Sequence, residues 1–253
     1  MLLVVDIGNT QIVAGVFAGR TLRGSWRLSS RREMTADEFA VLLRGALAEA
    51  ATEIEAAVMA SVVPPLTEEG RRALQRLVGS EPLLVVPGIR TGLKIRTDSP
   101  QEVGADRIVN AVAALERFGG PAVIVDFGTA TTLDVVTADG EYLGGVITAG
   151  ARVGIDALSV RAARLPRVDL ALPPRVIGRN TMDSIRSGAL HGHAAMVDGL
   201  VERIEEELGS AVTIVATGGT AGIIAPLMKR VDHIDPHLTL EGLRLLFERN
   251  SPR

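Results

Sequence analysis

The sequence predicts an α/β protein with two related halves, and two observations support this prediction. Residues 2–6 read Leu-Leu-Val-Val-Asp and residues 122–126 read Ala-Val-Ile-Val-Asp, which puts Asp6 and Asp126 120 positions apart (126 − 6). Each run is short, β-branched-rich and closed by Asp-x-Gly, as is typical of a buried strand that ends in a turn. Strand patterns then alternate with helix patterns through each half, which is typical of α/β proteins.

A second apolar run follows each of these turns, at residues 12–17 and 132–136. Each half therefore begins with a strand, a tight turn that carries small polar residues, and a returning strand. Self-similarity in two copies indicates a duplicated protein with two lobes rather than a solenoid. We place the lobes at residues 1–115 and 116–253.

The remaining elements follow from capping residues and helix breakers. Thr35 and Glu38 form a capping-box pattern ahead of an apolar helix, and Pro64-Pro65 stops a strand at residues 56–63. The other predicted elements are helices at 66–78, 108–118, about 181–208 (capped by Asn180 or Thr181) and 220–229, and strands at 82–86 and 212–216.

The composition excludes several classes of protein. The formal net charge of −3 and the pI of about 5.9 argue against binding to nucleic acid, which needs a basic surface. The chain has no cysteine, so disulfides and thiolate metal sites are excluded. It shows no signal-peptide pattern. The one stretch that superficially resembles a membrane span, residues 208–228, is interrupted by glycine and proline. We therefore expect a cytoplasmic protein that does not bind membranes.

The two Asp-x-Gly turns have the chemistry of a polyphosphate site. Gly8 and Gly128 would let backbone N–H groups approach phosphates closely. Asp6 and Asp126 repel phosphate, so they fit such a site only if a cation such as Mg²⁺ lies between. Asp-x-Gly is also a common structural turn, but two matched copies favour phosphate binding. No P-loop or protein-kinase motif is present, so metal, backbone and arginine would have to neutralise the phosphates.

Two further segments have both a functional and a structural interpretation. Gly218-Gly219 follows a strand and allows close approach by adenosine, or simply tight packing between strand and helix. Asp106 lies at the start of a helix, where it can interact with the helix dipole. It can also orient a substrate hydroxyl and accept its proton in phosphoryl transfer. Arg107 beside it could bind a substrate carboxylate or the transferring phosphoryl group.

These motifs together resemble those of type III pantothenate kinases. The three that carry the resemblance are Asp6-Ile7-Gly8-Asn9-Thr10, Gly104-Ala105-Asp106-Arg107 and Asp126-Phe127-Gly128-Thr129. Similar segments elsewhere, including Asn180-Thr181 and Ala216-Thr217-Gly218-Gly219, extend it over nearly the whole chain. The resemblance implies a duplicated actin-like (ribonuclease H-like) fold with a nucleotide cleft between two lobes. It also implies ATP-dependent phosphorylation of pantothenate to 4'-phosphopantothenate, with Mg²⁺, a monovalent cation (K⁺ or NH₄⁺) and a homodimer.

The resemblance further implies roles for individual residues. Asp106 corresponds to the proton acceptor and Asp126 to the monovalent-cation ligand, and Asp6 is the expected Mg²⁺ ligand, directly or through water. With the third turn included, the expected ATP-binding residues are Asp6, Ile7, Gly8, Asn9, Thr10, Gln11, Ile12, Val13, Thr129, Gly218 and Gly219. The expected pantothenate-binding residues are Thr97, Gly104, Ala105, Asp106, Arg107 and, across the dimer interface, Thr181.

One position departs from the family pattern, because Thr97 stands where the family has a tyrosine that helps to enclose the substrate. Two alternatives to a pantothenate kinase stay open. The chain could phosphorylate another small alcohol, or it could be a non-catalytic nucleotide-binding regulatory relative, which would not need Asp106. The presence of Asp6, Asp106, Arg107 and Asp126 together favours the enzyme. A filament-forming or chaperone ATPase would need large inserted subdomains, for which the chain is too short.

Overall fold

The computed structural model describes residues 1–48, 53–162 and 164–251, and the chain forms two compact units. Unit 1 consists of Met1–Leu93, Thr97–Ala113 and His237–Arg253, and unit 2 of Lys94–Arg96 and Ala114–Pro236. The strands are β1 (Leu2–Ile7), β2 (Gln11–Ala18), β3 (Thr21–Ser29), β4 (Ala56–Ser61), β5 (Leu83–Leu84), β6 (Lys94–Ile95), β7 (Ala122–Phe127), β8 (Ala130–Val136), β9 (Glu141–Ala149), β10 (Thr213–Thr217) and β11 (His233–Ile234). The helices are α1 (Ala36–Ala48), α2 (Pro64–Val78), α3 (Ala105–Phe118), α4 (Ala151–Arg161), α5 (Thr181–Leu208), α6 (Ala221–Ile224) and α7 (Leu238–Asn250).

The two sheets share one topology, which confirms the predicted duplication. In unit 1 the strand order is β3-β2-β1-β4-β5, and in unit 2 the order β9-β8-β7-β10-β11 repeats it, with β6 added beside β9. In both units the first three strands are antiparallel and the next two run parallel to the first. The predicted α/β class is therefore confirmed within each unit.

The predicted helix starts are confirmed by their caps. The Glu38 backbone N–H donates to Thr35 Oγ1 at 3.3 Å, and the Thr35 N–H donates to Glu38 Oε2 at 2.9 Å, which is a capping box. The hydrogen bonds that the Thr35 backbone N–H and hydroxyl donate to the Glu38 carboxylate also lower the pKa of Glu38. Asn180 caps α5, since its side chain accepts the Asp183 N–H at 2.8 Å. Thr181 is thereby the first helical residue.

Other elements differ from the prediction. The helix predicted at 220–229 is wrong in part: α6 ends at Ile224 and a 3₁₀ turn follows at Ala225–Leu227, because Pro226 has no N–H to continue the helix. Strands β3 and β9 and helices α4 and α7 were not predicted from the sequence. None of the described helices has the length and apolar composition that a membrane-spanning helix needs.

Each unit has its own apolar core. In unit 1, α1 and α2 pack on the sheet through side chains such as Phe39 and Leu74, over Ile7 and Val5. In unit 2, α4, α5 and α6 pack on the face of the sheet that carries Phe127. Burial of these continuous apolar faces is the main stabilising term for each unit.

The last helix, α7, belongs to unit 1, although the predicted division placed residues 116–253 in one lobe. The reason is its packing. A Cβ on Gly15 of β2 would lie 2.9 Å from Leu240 Cδ1, and a Cβ on Gly242 would lie 2.2 Å from Val109 O. The chain thus returns to its first sheet at its end.

Candidate active site

The first Asp-x-Gly turn joins β1 to β2 through residues 8–10. The Gly8 N–H donates to Gln11 O at 3.0 Å, and a Cβ on Gly8 would lie 3.0 Å from the same oxygen. Asn9 and Thr10 are exposed and Asp6 is half-buried at the end of β1. A ligand at this turn would therefore meet backbone and small polar groups.

Two of the residues expected to bind ATP have side chains that a ligand cannot reach. The side chains of Ile7 and Ile12 are fully buried in the core of unit 1. Only their backbone atoms remain for contact with a ligand. Gln11 is exposed, and its Oε1 accepts a hydrogen bond from Arg27 Nη1 at 3.4 Å.

Within unit 1, the segment that carries Asp106 lies at the same edge of the sheet as the Gly8 turn. The Val62 N–H, just after β4, donates to Ile7 O at 3.0 Å. A Cβ on Gly104 would lie 3.6 Å from Val62 Cγ1. Because β1 and β4 are parallel, this edge is where both strands end, which is where α/β sheets commonly bind ligands.

Asp106 is oriented by its own helix. Its Oδ1 accepts the Arg107 backbone N–H at 2.8 Å in the first turn of α3, where the positive end of the helix dipole favours an anion. A Cβ on Gly104 would lie 2.6 Å from the same Oδ1. Gly104 therefore leaves the space that the half-buried carboxylate occupies.

Thr97 contributes a buried polar atom to unit 1. Its Oγ1 is buried and makes no hydrogen bond to the part of the chain that the structure describes. A buried hydroxyl without a partner is unfavourable by about 1–3 kcal/mol. This atom is therefore suited to a hydrogen bond with a ligand or a water molecule.

The second Asp-x-Gly turn joins β7 to β8 in unit 2 through Gly128 and Thr129. The Gly128 N–H donates to Ala130 O at 3.0 Å, and the Gly150 N–H donates to Thr129 O at 2.9 Å. Both turn residues are exposed and Asp126 is half-buried. The turn is one residue shorter than its counterpart in unit 1, which has three residues between the strands.

The third glycine turn lies directly beside Asp126. Strand β10 runs parallel to β7 with Thr217 opposite Asp126. Gly218 has φ +96°, and a Cβ on it would lie 2.4 Å from Asp126 Oδ1 and 2.6 Å from the Phe127 N atom. The tight-packing interpretation of Gly218 is thus supported by contacts. Gly219 is exposed beside it.

Two polar networks around the second hairpin were not predicted from the sequence. On one face of the sheet, His193 Nε2 lies 2.8 Å from Thr131 Oγ1, and burial lowers the pKa of His193 from 6.5. On the other face, Asp134 accepts hydrogen bonds from Thr132 and Tyr142. The polar residues inside the otherwise apolar run at 132–136 were the signal that could have revealed the second network.

Thr181 is exposed at the start of α5 and lines a cavity of about 540 Å³ in unit 2. The cavity lies between α4 and α5 and is mostly apolar, with His193 among its few polar lining residues. Among the residues of known placement, no three side chains of His, Asp or Glu are arranged to hold a metal ion.

Comparison with known proteins identifies relatives over the full length. A family model described as type III pantothenate kinase matches residues 2–203. The type III pantothenate kinase of Acidothermus cellulolyticus is 50% identical, with 100% of both chains covered. That of Moorella thermoacetica is 49% identical over 99% of this chain and 100% of the relative.

Solved structures share the fold at low sequence identity. An ethanolamine utilization protein from Carboxydothermus hydrogenoformans superposes with a TM-score of 0.58 at 13% identity, covering 96% of this chain and 89% of that one. A ROK family glucokinase from Streptomyces griseus, solved with glucose and AMPPNP, superposes with a TM-score of 0.53 at 13% identity, covering 96% of this chain and 98% of that one. These similarities confirm the predicted actin-like fold class.

Proposed function

The chain belongs to the type III pantothenate kinase family and so phosphorylates pantothenate with ATP, in coenzyme A biosynthesis; we propose how its residues divide this work. The observation that supports the assignment best lies within unit 1. There the oriented carboxylate of Asp106 and the Gly8 turn share one edge of the sheet.

We propose that Asp106 accepts the proton of the substrate hydroxyl. The hydroxyl oxygen attacks the γ-phosphorus of ATP, the bond from that phosphorus to the bridging oxygen breaks, and ADP leaves with the electron pair. The proton passes to Asp106. Phosphoryl transfer has a loose transition state with little need for a strong base. A carboxylate oriented by a backbone N–H bond at 2.8 Å is therefore sufficient.

We propose that residues of the glycine turns bind ATP. In unit 1 these are Asp6 to Val13, with Ile7 and Ile12 contributing through their backbone because their side chains are buried. In unit 2 they are Thr129 and the exposed Gly219 with Gly218. Backbone N–H groups in glycine turns are suited to phosphate oxygens.

Two cations fit the residues present. Asp6 ends a strand beside exposed Asn9 and Thr10, an all-oxygen set of the kind that holds Mg²⁺ together with water and phosphate. Asp126 would hold the monovalent cation, K⁺ or NH₄⁺, through its half-buried carboxylate. When bound, the cations would offset the charge of the phosphates.

Pantothenate would be bound by Thr97 and by residues Gly104 to Arg107. The buried Thr97 Oγ1 offers a hydrogen bond, and Arg107 could bind the pantothenate carboxylate. Because threonine is smaller than the tyrosine that the family has at this position, Thr97 would enclose the substrate less. We also propose a homodimer in which Thr181 contacts the substrate of the partner, since it is exposed at the first turn of α5.

An ADP-release assay over a panel of small alcohols, with and without K⁺, tests the substrate. Pantothenate should give the highest kcat/KM, and a higher value for another alcohol would favour the first alternative. The variant Asp106→Asn should lose phosphoryl transfer by about a hundredfold or more while Mg·ATP affinity stays within about twofold, because the amide cannot accept the proton. Wild-type protein that binds ATP but phosphorylates nothing in the panel would favour the regulatory alternative.

A further inference from the structure

A buried polar triad lies beneath the second hairpin, in unit 2. We define it as Thr132, Asp134 and Tyr142. Tyr142 OH donates to Asp134 Oδ1 at 2.5 Å, and Thr132 Oγ1 donates to Asp134 Oδ2 at 3.0 Å. Asp134 and Tyr142 are both fully buried. Burying a carboxylate is unfavourable unless hydrogen bonds satisfy it, and here two hydroxyls do so.

The same three positions in unit 1 are apolar. Asp6 pairs with Val13 as Asp126 pairs with Thr132, and Val4 pairs with Gly15 as Ile124 pairs with Asp134. Phe17 pairs with Leu22 as Val136 pairs with Tyr142, each just after an irregularity in the strands. A Cβ on Gly15 would lie 3.2 Å from Leu22 Cδ1. The unit 1 counterpart of the triad is thus Val13, Gly15 and Leu22, and the hairpin folds there without a buried carboxylate.

The triad has a consequence for Thr132. Its only hydroxyl hydrogen is committed to Asp134, so its oxygen can offer only lone pairs to a further group. Thr132 lies directly opposite Asp126 on the neighbouring strand. Side chains in such pairs share one face, with Cβ atoms about 5 Å apart. Both residues are half-buried, so an ion can reach them.

We propose that Thr132 is a second oxygen ligand, beside Asp126, of the monovalent cation, and that Asp134 and Tyr142 are positioning residues that fix its hydroxyl as an acceptor. The proposal rests on the proposed function, which supplies the cation at Asp126. One carboxylate and one neutral oxygen suit a singly charged ion. K⁺ would be coordinated by the lone pairs of Thr132, and NH₄⁺ would donate a hydrogen bond to them.

The test compares Thr132→Val with Thr132→Ser. Valine is nearly isosteric with threonine, so the variant keeps the packing of the strand, and Asp134 keeps the hydrogen bond from Tyr142. KCl is titrated at constant ionic strength against tetramethylammonium chloride. The half-saturating K⁺ for activity is measured, and thallium(I) binding is followed by thallium nuclear magnetic resonance as a readout independent of activity.

We expect Thr132→Val to weaken both K⁺ activation and thallium binding by about tenfold, as for loss of one interaction with a charged group. Thr132→Ser keeps the hydroxyl and should stay within about threefold of wild type. Tyr142→Phe, which removes one hydrogen bond to Asp134, should weaken K⁺ activation and thallium binding more than Thr132→Ser does and less than Thr132→Val does. Thr148→Val is the matched control, because the Thr148 hydroxyl contacts Met196 of α5 on the opposite face, and it should change neither quantity.

Three outcomes would contradict the proposal, and they differ in what else they contradict. If Asp126→Asn weakens thallium binding but Thr132→Val does not, the cation site stands and Thr132 is not a ligand. If the wild-type protein neither binds thallium nor responds to K⁺, the cation assignment of Asp126 fails together with the role of Thr132, while ADP release with pantothenate would still support the kinase. Should Thr132→Val fold poorly, equal cation affinity of Thr132→Ser, Tyr142→Phe and Asp134→Asn would contradict the positioning role.

Discussion

The variant Gly104→Ala should displace the proposed proton acceptor without changing its chemistry. A Cβ at this position would lie 2.6 Å from Asp106 Oδ1, well inside the closest contact of about 3.0 Å that a Cβ makes. The next neighbour, Val62 Cγ1, is at an ordinary 3.6 Å. The strain therefore falls on the Asp106 side chain, which must move by at least about 0.4 Å (3.0 − 2.6).

The expected loss follows from what the displacement breaks. The moved carboxylate would lose or weaken its bond to the Arg107 N–H, at 2.8 Å, and hydrogen bonds to charged groups contribute about 1.5–3 kcal/mol. A misplacement of about 1 Å in a catalytic group can reduce the rate by about a hundredfold. For a smaller shift we expect kcat to fall by about tenfold to thirtyfold, with the KM for ATP within about twofold.

Steady-state ADP release with pantothenate and ATP measures this effect. Gly45→Ala is the matched control, since nothing lies within 4 Å of a Cβ at Gly45 in α1. It should leave kcat unchanged and raise stability by about 0.5–1 kcal/mol, because alanine is the better helix former. A Gly104→Ala enzyme that folds like wild type and keeps its kcat would refute the proposed orientation of Asp106.

Three further predictions concern binding, pH and assembly. Gly8→Val should weaken Mg·ATP binding by about tenfold or more in calorimetry by blocking the approach of phosphate to the turn; unchanged affinity in a folded variant would contradict phosphate binding there. Burial lowers the pKa of His193, so its stabilising contribution is complete above about pH 6.5 and is lost as the pH falls through the folded pKa. The melting temperature should therefore fall more on acidification in wild type than in His193→Gln. An equal dependence of the melting temperature on pH in the two proteins would contradict this prediction. Inactive Asp106→Asn and Thr181→Trp subunits, mixed and reassembled, should regain activity, because one site of each mixed dimer would combine two intact residues; proven exchange without recovery would exclude a shared site.

The fold could be predicted where strands are apolar and bounded by distinct turns. Strands β1 and β7 have this pattern, and so have α1 and α5 with their caps. Strand β3 alternates half-buried and exposed residues along its whole length, so it lacks the apolar run that indicates a buried strand. The place of α7 in unit 1 depends on contacts such as Leu240 with Gly15, which link distant parts of the chain and leave no local pattern.

The site could be predicted as motifs but not as geometry. Asp-x-Gly and Gly-Ala-Asp-Arg are continuous segments, so their chemistry is visible in the sequence. Gly104 and Asp106 are two residues apart, but their close contact could be predicted only if a helix was known to start there. That Gly218 makes room for Asp126 depends on the parallel pairing of β7 with β10, which joins residues 92 positions apart (218 − 126).

Comparison of the two hairpins separates what the fold requires from what a ligand requires. Both units close the hairpin with the same pairing and the same bulge position, so these features belong to the fold. The apolar positions of unit 1, Val13 and Leu22, show that this architecture is stable without polar groups there. Two hydroxyls satisfy the buried Asp134 carboxylate, but such a buried polar group adds little stability over apolar residues, so Asp134 needs a reason beyond stability. The proposed role of the Thr132 hydroxyl, which Asp134 holds opposite Asp126, is such a reason. On this proposal the hairpin in unit 2 presents a fixed acceptor oxygen beside a carboxylate.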